Sequence, residues 1–264
     1  MSNGETVPVE NVVLRFADRV QTMVRDAAQT QAEQIEQAAV LVARTVESGG
    51  LIHTFGTGHS HLLAEEIYSR AGGLLPVNVI ESAPLMLHED APASGEWERV
   101  SGIAQIMLEY AAVDPSRDVL IVISNSGRNS APVEAAEWAQ AHQVPVIAVT
   151  SLAHSRAEKS LAPSGKKLYE VADVVLDNLG QPGDALMTLA RGVRTGATSD
   201  IIGAFLLHAV VLRAIDLLLE RGQEPPVFVS GNVSGAHEAN QRMIERYPGR
   251  LAPAYERLRA RRPS

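Results

Sequence analysis

Val119-Leu120-Ile121-Val122-Ile123-Ser124-Asn125-Ser126-Gly127-Arg128-Asn129-Ser130 is the stretch on which the fold turns. Its first five residues are apolar on both parities and mostly β-branched, as in a strand buried on both faces of a parallel sheet. The next seven hold three hydroxyls and two amides, and Ala131–His142 then carries helical spacing. A helix N-terminus presents unpaired N–H groups and the positive end of a dipole. Small residues let those groups close around a phosphate, hydroxyls add donors, and Arg128 adds charge. A serine cap with a turn needs only one such residue; the crowding of Ser124, Asn125, Ser126, Asn129 and Ser130 points to an anion site.

The same pattern repeats outward. Leu51–Phe55, Pro76–Ile80, Val144–Val149 and Val171–Leu176 are further short apolar runs, and Leu62–Arg70 and Trp97–Ala111 carry helical spacing. The alternation predicts an α/β fold with a doubly wound five-stranded parallel sheet flanked by helices. Ligands in such sheets sit at the carboxyl ends of strands where strand order reverses, so the loops after strands are the places to search. From Val9 to Glu47 there is no Gly or Pro, and Val12, Phe16, Val20, Met23, Ile35, Ala39, Val42 and Val46 predict one long helix or two joined ones, ended by Gly49 and Gly50. A last helix is expected from about Thr198 to Arg221, before Pro225 and Pro226 break the chain. The expected organisation is an N-terminal helical extension at 1–50, the sheet domain at 51–221 and a C-terminal extension at 222–264.

The chain has 264 residues, 45% hydrophobic and 20% charged, ordinary for a globular protein able to bury a large core. It has no cysteine, which excludes disulfides, thiolate catalysis and cysteine-ligated metals. The net charge of −8 makes nucleic acid a poor partner, and the seven arginines from Arg242 onward read as a solvated end. No apolar run reaches the ~18 residues of a membrane span, and Met1 to Glu10 lacks the apolar core of a signal peptide. A cytoplasmic location without membrane partners is expected.

A second small-residue loop, Phe55-Gly56-Thr57-Gly58-His59-Ser60-His61, follows the first strand. Its Gly-x-Gly is a weak dinucleotide signal, because position 61 is His where a third Gly belongs and no acidic residue closes the second strand cleanly. Two phosphate-type loops on one sheet suit a phosphosugar better. These loops, with five strands and a long last helix, resemble a SIS (sugar isomerase) domain over about Leu51 to Arg221. A narrower resemblance spans nearly the whole chain. His53–Ser60, Arg70-Ala71-Gly72-Gly73-Leu74, Glu98-Arg99-Val100 and Ser230-Gly231-Asn232-Val233 with Glu238 and Asn240 are similar to the UPF0309 family.

The resemblance implies sugar-phosphate binding by Gly56, Thr57, Gly58, His59, Ser60, Ser124, Asn125, Ser126, Arg128, Asn129 and Ser130. It extends to Thr198, in a small-residue segment that closes over the sugar in related isomerases, and to Asn232 and Glu238 after the last helix. The N-acetylmuramic acid 6-phosphate etherases are relatives with a catalytic glutamate in the loop comparable to that of Glu98. A carboxylate there suits removal of the C2 proton of an open-chain aminosugar and expulsion of the C3 substituent; the bland alternative is a charge favourable to the start of the next helix. His88 and Glu89 are further catalytic candidates, and Asp90 reads as a cap. Phosphoheptose isomerases use comparable helices for acid–base residues and sometimes metal. His61, Glu65 and His208 therefore form an alternative zinc set, against which His208 reads as a core histidine.

The expected activity is a lyase or dehydratase acting on an N-acetylamino-sugar 6-phosphate, with no cofactor and no metal. No lysine is expected near the loops to form an imine, since Lys159, Lys166 and Lys167 lie together in a polar segment. The alternatives are an aldose–ketose isomerase and a non-catalytic sensor of the RpiR type, although the unbroken N-terminal run lacks the turn of a helix-turn-helix. The long apolar stripe of that run predicts a homodimer or homotetramer.

Overall fold

The computed structural model describes residues 9–251; residues 1–8, with most of the polar start, and the end of the arginine-rich tail lie outside the described residues. Helices α1 (Val9–Thr30) and α2 (Ala32–Glu47) lead into β1 (Ile52–Gly56), α3 (Ser60–Glu66) and β2 (Val77–Ile80). Then come α4 (Leu87–Trp97), α5 (Ile103–Tyr110), β3 (Val119–Ile123), α6 (Ser130–Ala141) and β4 (Val146–Thr150). Short helices α7 (Leu152–Ala157) and α8 (Leu168–Val171) precede β5 (Val174–Asp177). A two-strand ribbon, β6 (Met187–Thr188) and β7 (Arg194–Thr195), leads into α9 (Ser199–Glu220), and α10 (Ala236–Ile244) follows.

The five main strands pair in parallel in the order β2-β1-β3-β4-β5. After β2 the chain returns to the other side of β1, so the loops after β1 and β3 flank the point where strand order reverses, the usual ligand crevice of such sheets. The period of two sorts the strand residues between layers. Ile121, Ile123, Ile147 and Val149 face α2, α3 and α9, whereas Leu120, Val122, Val146 and Ala148 face α5, α6 and α8.

Two joined helices, rather than one, fill the N-terminal run. They part at Gln31, whose side-chain oxygen accepts the N–H of Asp177 at 2.9 Å, fixing the break to the end of β5. Ala38, Val42 and Val46 of α2 share a core with Leu206, Val210 and Leu217 of α9. By length and composition α9 would pass as a membrane span, with mean hydropathy 2.1, a signal the run-length reading did not register. In this fold half of that stretch is buried as the central core helix.

Three expected elements differ. Trp97–Ala111 is not one helix: Gly102 takes φ +87° and donates its N–H to Glu134 at 2.6 Å, a left-handed turn that glycine allows. The helix at Leu62–Arg70 is shorter, ending at Glu66. Val171 closes α8 instead of opening the last strand, because Glu170 accepts the N–H of Lys167 at 2.7 Å and holds a helical turn there.

At the end of the sheet away from the crevice, Asp118 precedes β3 and gathers four groups. It accepts the N–H of Leu51 (2.8 Å) and of Asp114 (2.7 Å), a bond to His53 Nε2 (2.9 Å) and the Arg250 guanidinium (2.5 and 2.7 Å). Burial works to raise its pKa, yet the bonds from His53, the two N–H groups and Arg250 together hold it below the usual carboxylate range. Arg250 thereby ties the C-terminal extension to the sheet, while Ile244, Tyr247 and Leu251 pack on Leu51 and Leu75.

Candidate functional site

A cavity of about 560 Å³ opens at the carboxyl ends of β1 and β3. The loop 57–60 forms one wall and the loop 124–129 the floor, and α4 with Glu98, His154, the segment at Gly183 and Asp184 and the start of α9 complete it.

The first loop is shaped by close backbone approach. A Cβ on Gly56 would lie 2.4 Å from the Ser60 carbonyl oxygen, so Gly56 does not line the cavity but permits the turn that brings Thr57, Gly58, His59 and Ser60 to it. His61 Nδ1 bonds the Gly58 carbonyl oxygen at 2.5 Å and braces the loop from behind.

In the second loop Ser124, at the end of β3, accepts the N–H of Gly127 at 3.1 Å. The Asn125 side-chain oxygen accepts from Asn178 at 3.0 Å, and its backbone oxygen accepts from Ser151 at 3.0 Å; these bonds lace the loops after β3, β4 and β5. Among the described residues, the N–H groups of Ser126, Arg128 and Asn129 make no hydrogen bond. The loop thus offers free donors beside the hydroxyls of Ser124 and Ser126 at the positive end of α6, a setting suited to an anion.

Glu98 joins the two loops. Thr57 Oγ1 donates to its Oε2 at 2.7 Å and Asn129 Nδ2 donates to its Oε1 at 2.6 Å. Burial pushes its pKa up, against the opposing pull of the Thr57 hydroxyl and Arg99. The reading of Glu98 as a charge at the start of the next helix is corrected: it caps the C-terminal end of α4. The helix it serves is α6, since its backbone oxygen accepts the N–H of Ala131 at 2.9 Å.

Several expected residues lie elsewhere. Arg128 turns away from the cavity and pairs with Glu158 at 2.7 Å. Ser130 is buried and donates to the Leu161 carbonyl at 3.2 Å. Thr198 is buried behind the wall, its N–H donating to Asp184 at 3.0 Å. Asn232 and Glu238 are exposed near α10 and do not line the cavity; the neighbouring Asn240 braces their segment through both polar atoms of Val229. His88 and Glu89 are exposed in the first turn of α4, where Leu87 and Ala91 face the cavity instead. Asp90 accepts the N–H of Ala93 at 3.1 Å, as a cap does. His208 is not a core residue: its side chain is 42% exposed and bonds Glu66 at 2.9 Å. No group of three or more His, Asp or Glu is disposed to hold a metal among the described residues.

Lys167 overturns its placement in a polar segment. It is 7% exposed, and its ammonium donates to the carbonyls of Ser155 and Glu158. Burial lowers its pKa, with Arg128 acting in the same direction. The N–H of the next residue, Leu168, donates to Gly127 at 2.9 Å, so Lys167 stands directly behind the second loop.

The sequence reading also missed His154 and Asp184. Asp184, at φ +48°, accepts from the N–H of Thr198 and Ser199 and from the Ser199 hydroxyl at 2.6 Å, capping α9 from a distance. Asp200, in the first turn of α9, lines the cavity, and burial pushes its pKa up, partly opposed by His59.

Residues 15–151 match the family described as the SIS domain. A UPF0309 protein of Geobacillus thermodenitrificans is 41% identical over 238 residues, 90% of this chain and 95% of that protein. One from Halalkalibacterium halodurans is 45% identical over 234 residues, 88% of this chain and 95% of the relative. Among solved structures, a phosphoheptose isomerase from Francisella tularensis superposes with TM-score 0.53 at 20% identity, covering 77% of this chain and 96% of that one. One from Neisseria gonorrhoeae gives 0.50 at 20% identity, covering 78% and 98%. These similarities confirm the expected five-stranded fold.

Proposed function

The chain belongs to the UPF0309 family of SIS-domain proteins, and from that premise we propose that its cavity binds a sugar phosphate and that Glu98 moves the proton at C2 of the open-chain sugar. One observation carries this reading: a half-buried carboxylate with a raised pKa is held by Thr57 and Asn129 at the edge of a loop of free N–H and hydroxyl donors. The loop takes the phosphate. Glu98 takes the C2 proton as general base, a role that a raised pKa favours near neutral pH.

In the preferred reaction, on an N-acetylamino-sugar 6-phosphate, the C2–H bond breaks, the C2–C3 double bond forms and the C3 oxygen leaves. The proton held by Glu98 passes to that oxygen, so water departs and no oxidant or cofactor enters. An aldose–ketose isomerisation would begin with the same proton transfer, and the solved structures of like fold named above are phosphoheptose isomerases. We further propose a cytoplasmic homodimer or homotetramer.

The test is incubation with hexosamine 6-phosphates in heavy water, using wild type and Glu98→Gln. Loss of one water supports the lyase; unchanged mass apart from deuterium at C2, with a shifted retention time, supports the isomerase. Glu98→Gln should lower turnover about 10²–10⁴-fold with much less effect on affinity. Binding without exchange in the wild type would make the protein a sensor and remove the catalytic role.

A further inference from the structure

Removing the C2 proton of an open-chain aldose creates a charge that Glu98 cannot meet. The electron pair of the C2–H bond forms a C1–C2 double bond, and the carbonyl pair moves onto the C1 oxygen. Glu98 is itself the base, with both oxygens bonded to Thr57 and Asn129. Among the described residues no lysine or arginine lines the cavity, and Lys167 behind the second loop is committed to the carbonyls of Ser155 and Glu158. His59 is exposed and lies beside Asp200.

His154 is placed differently. The strand order β2-β1-β3-β4-β5 sets the loop after β3 between the loop after β1, whose Thr57 holds Glu98, and the loop after β4, which carries His154. His154 thus lines the cavity across the phosphate loop from Glu98. Its backbone is fixed there, since its N–H donates to Ser151 Oγ at 3.0 Å. Ser151, fully buried, in turn donates its N–H to the Asn125 carbonyl at 3.0 Å and its hydroxyl to the Gly180 carbonyl at 2.6 Å. The imidazole, by contrast, makes no hydrogen bond with any described residue, and its Nδ1 is closed to solvent. A proton on Nδ1 would be a buried donor without an acceptor, a rarer condition than an unfilled acceptor. The ring proton therefore sits on Nε2, the nitrogen left to face a ligand.

We propose that His154 is a catalytic residue, its Nε2–H donating a hydrogen bond to the C1 oxygen of the open-chain sugar while Glu98 takes the C2 proton. The proton stays on the nitrogen throughout. In the elimination the C1 carbonyl re-forms, the C1–C2 pair moves to make the C2–C3 double bond, and the C3 oxygen leaves with its own bonding pair and the proton from Glu98. A fixed donor aimed at a growing oxyanion binds the transition state more strongly than the ground state. This rests on the sugar-phosphate reading and adds to it the group that polarises the carbonyl, which lyase and isomerase both need.

The experiment follows deuterium entry at C2 of N-acetylglucosamine 6-phosphate in heavy water, with wild type, His154→Ala and His154→Gln, beside calorimetric titration of two stable probes. One probe is the alditol 6-phosphate, which lacks the C1 carbonyl; the other is a sugar-phosphate hydroxamate, whose anionic oxygen mimics the enolate. His154→Ala should slow exchange about 10²–10³-fold and weaken the hydroxamate at least about tenfold, while moving the alditol less than about threefold. Loss of structure would weaken both probes alike. His154→Gln, with an amide N–H near the place of Nε2, should exchange at least about tenfold faster than His154→Ala. In wild type carrying isotope-labelled histidine, the Nε2 signal missing from His154→Gln should move on adding the hydroxamate and hold still on adding the alditol, which decides the matter even where His154→Ala fails to fold. Exchange by His154→Ala at the wild-type rate, equal losses for the two probes, or an Nε2 signal unmoved by the hydroxamate overturns the role of His154 and leaves Glu98 and sugar-phosphate binding standing. A wild type that binds the alditol and exchanges no deuterium overturns the catalytic reading of Glu98 along with it, and binding of neither probe overturns the sugar-phosphate reading as well.

Discussion

The Glu98 carboxylate and the Asn129 side-chain amide meet at 2.6 Å, so the end of α4 and the residue before α6 are tied through the proposed base. Asn129→Asp would set a second carboxylate against the first and push the pKa of Glu98 higher still. The acid limb of the pH–rate profile should move to higher pH. An unmoved limb would mean that Glu98 does not carry the proton in turnover.

Glu98 also makes a stability prediction. Its folded pKa is raised by burial, so between the ordinary glutamate value and that raised value the native state holds more protons than the unfolded one. Stability therefore falls as pH rises through this window. Glu98→Gln keeps the hydrogen-bonding partners and removes the titration. Above the window the variant should be at least as stable as wild type, and the two should converge or reverse in acid. Denaturant unfolding at several pH values checks this; a variant less stable at neutral pH than in acid, relative to wild type, contradicts it.

Much of this architecture was legible in the residues. β3 and β4 are short, largely β-branched apolar runs, β1 and β2 keep that character around His53, Thr54 and Asn78, and the two loops declare themselves by small and hydroxylated residues. What escaped were contacts made across the fold. Nothing local marks Lys167 as buried, because its partners are backbone carbonyls of Ser155 and Glu158. Arg128 reads as an anion ligand until Glu158, thirty residues on, takes its charge. Glu98 sits amid helical spacing, and only Gly102, by ending that spacing, moves it from the start of a helix to the end of one. Asp184 lies in a segment without periodicity, and its role exists only once α9 is placed.

Ser126→Ala should weaken sugar-phosphate binding about ten- to hundredfold through loss of a charge-assisted hydrogen bond, with little change in stability, because the Ser126 side chain makes no hydrogen bond within the described residues. Ser124→Ala should weaken binding as well and also lower stability, since its hydroxyl accepts the N–H of Gly127. Calorimetric titration and thermal unfolding of both variants separate the two. Unchanged affinity in both removes the loop from the site.

Lys167→Met should leave the carbonyls of Ser155 and Glu158 without their donor. The expected cost is about 2–4 kcal/mol, a fall in Tm of roughly 5–15 °C, accompanied by weaker binding because the 124–130 loop rests on this region. An unchanged Tm would show that water satisfies those carbonyls.

Light scattering at micromolar concentration should give a dimer or tetramer. Val13 and Leu14 on α1 and Leu212 on α9 are 57–70% exposed in the single chain, more apolar surface than those helices need for their own packing. A monomer would contradict the expectation.

The pairing of α2 with α9 has a consequence for how the protein is made. One partner ends at residue 47 and the other begins at residue 199, so on the ribosome the early helix waits until the whole sheet has been synthesised before α9 can complete the core around it. At about 5–20 residues per second that delay is on the order of ten seconds. Throughout it the nascent chain presents Ala38, Val42 and Val46 uncovered by their final partner, an apolar surface open to association before the chain is released.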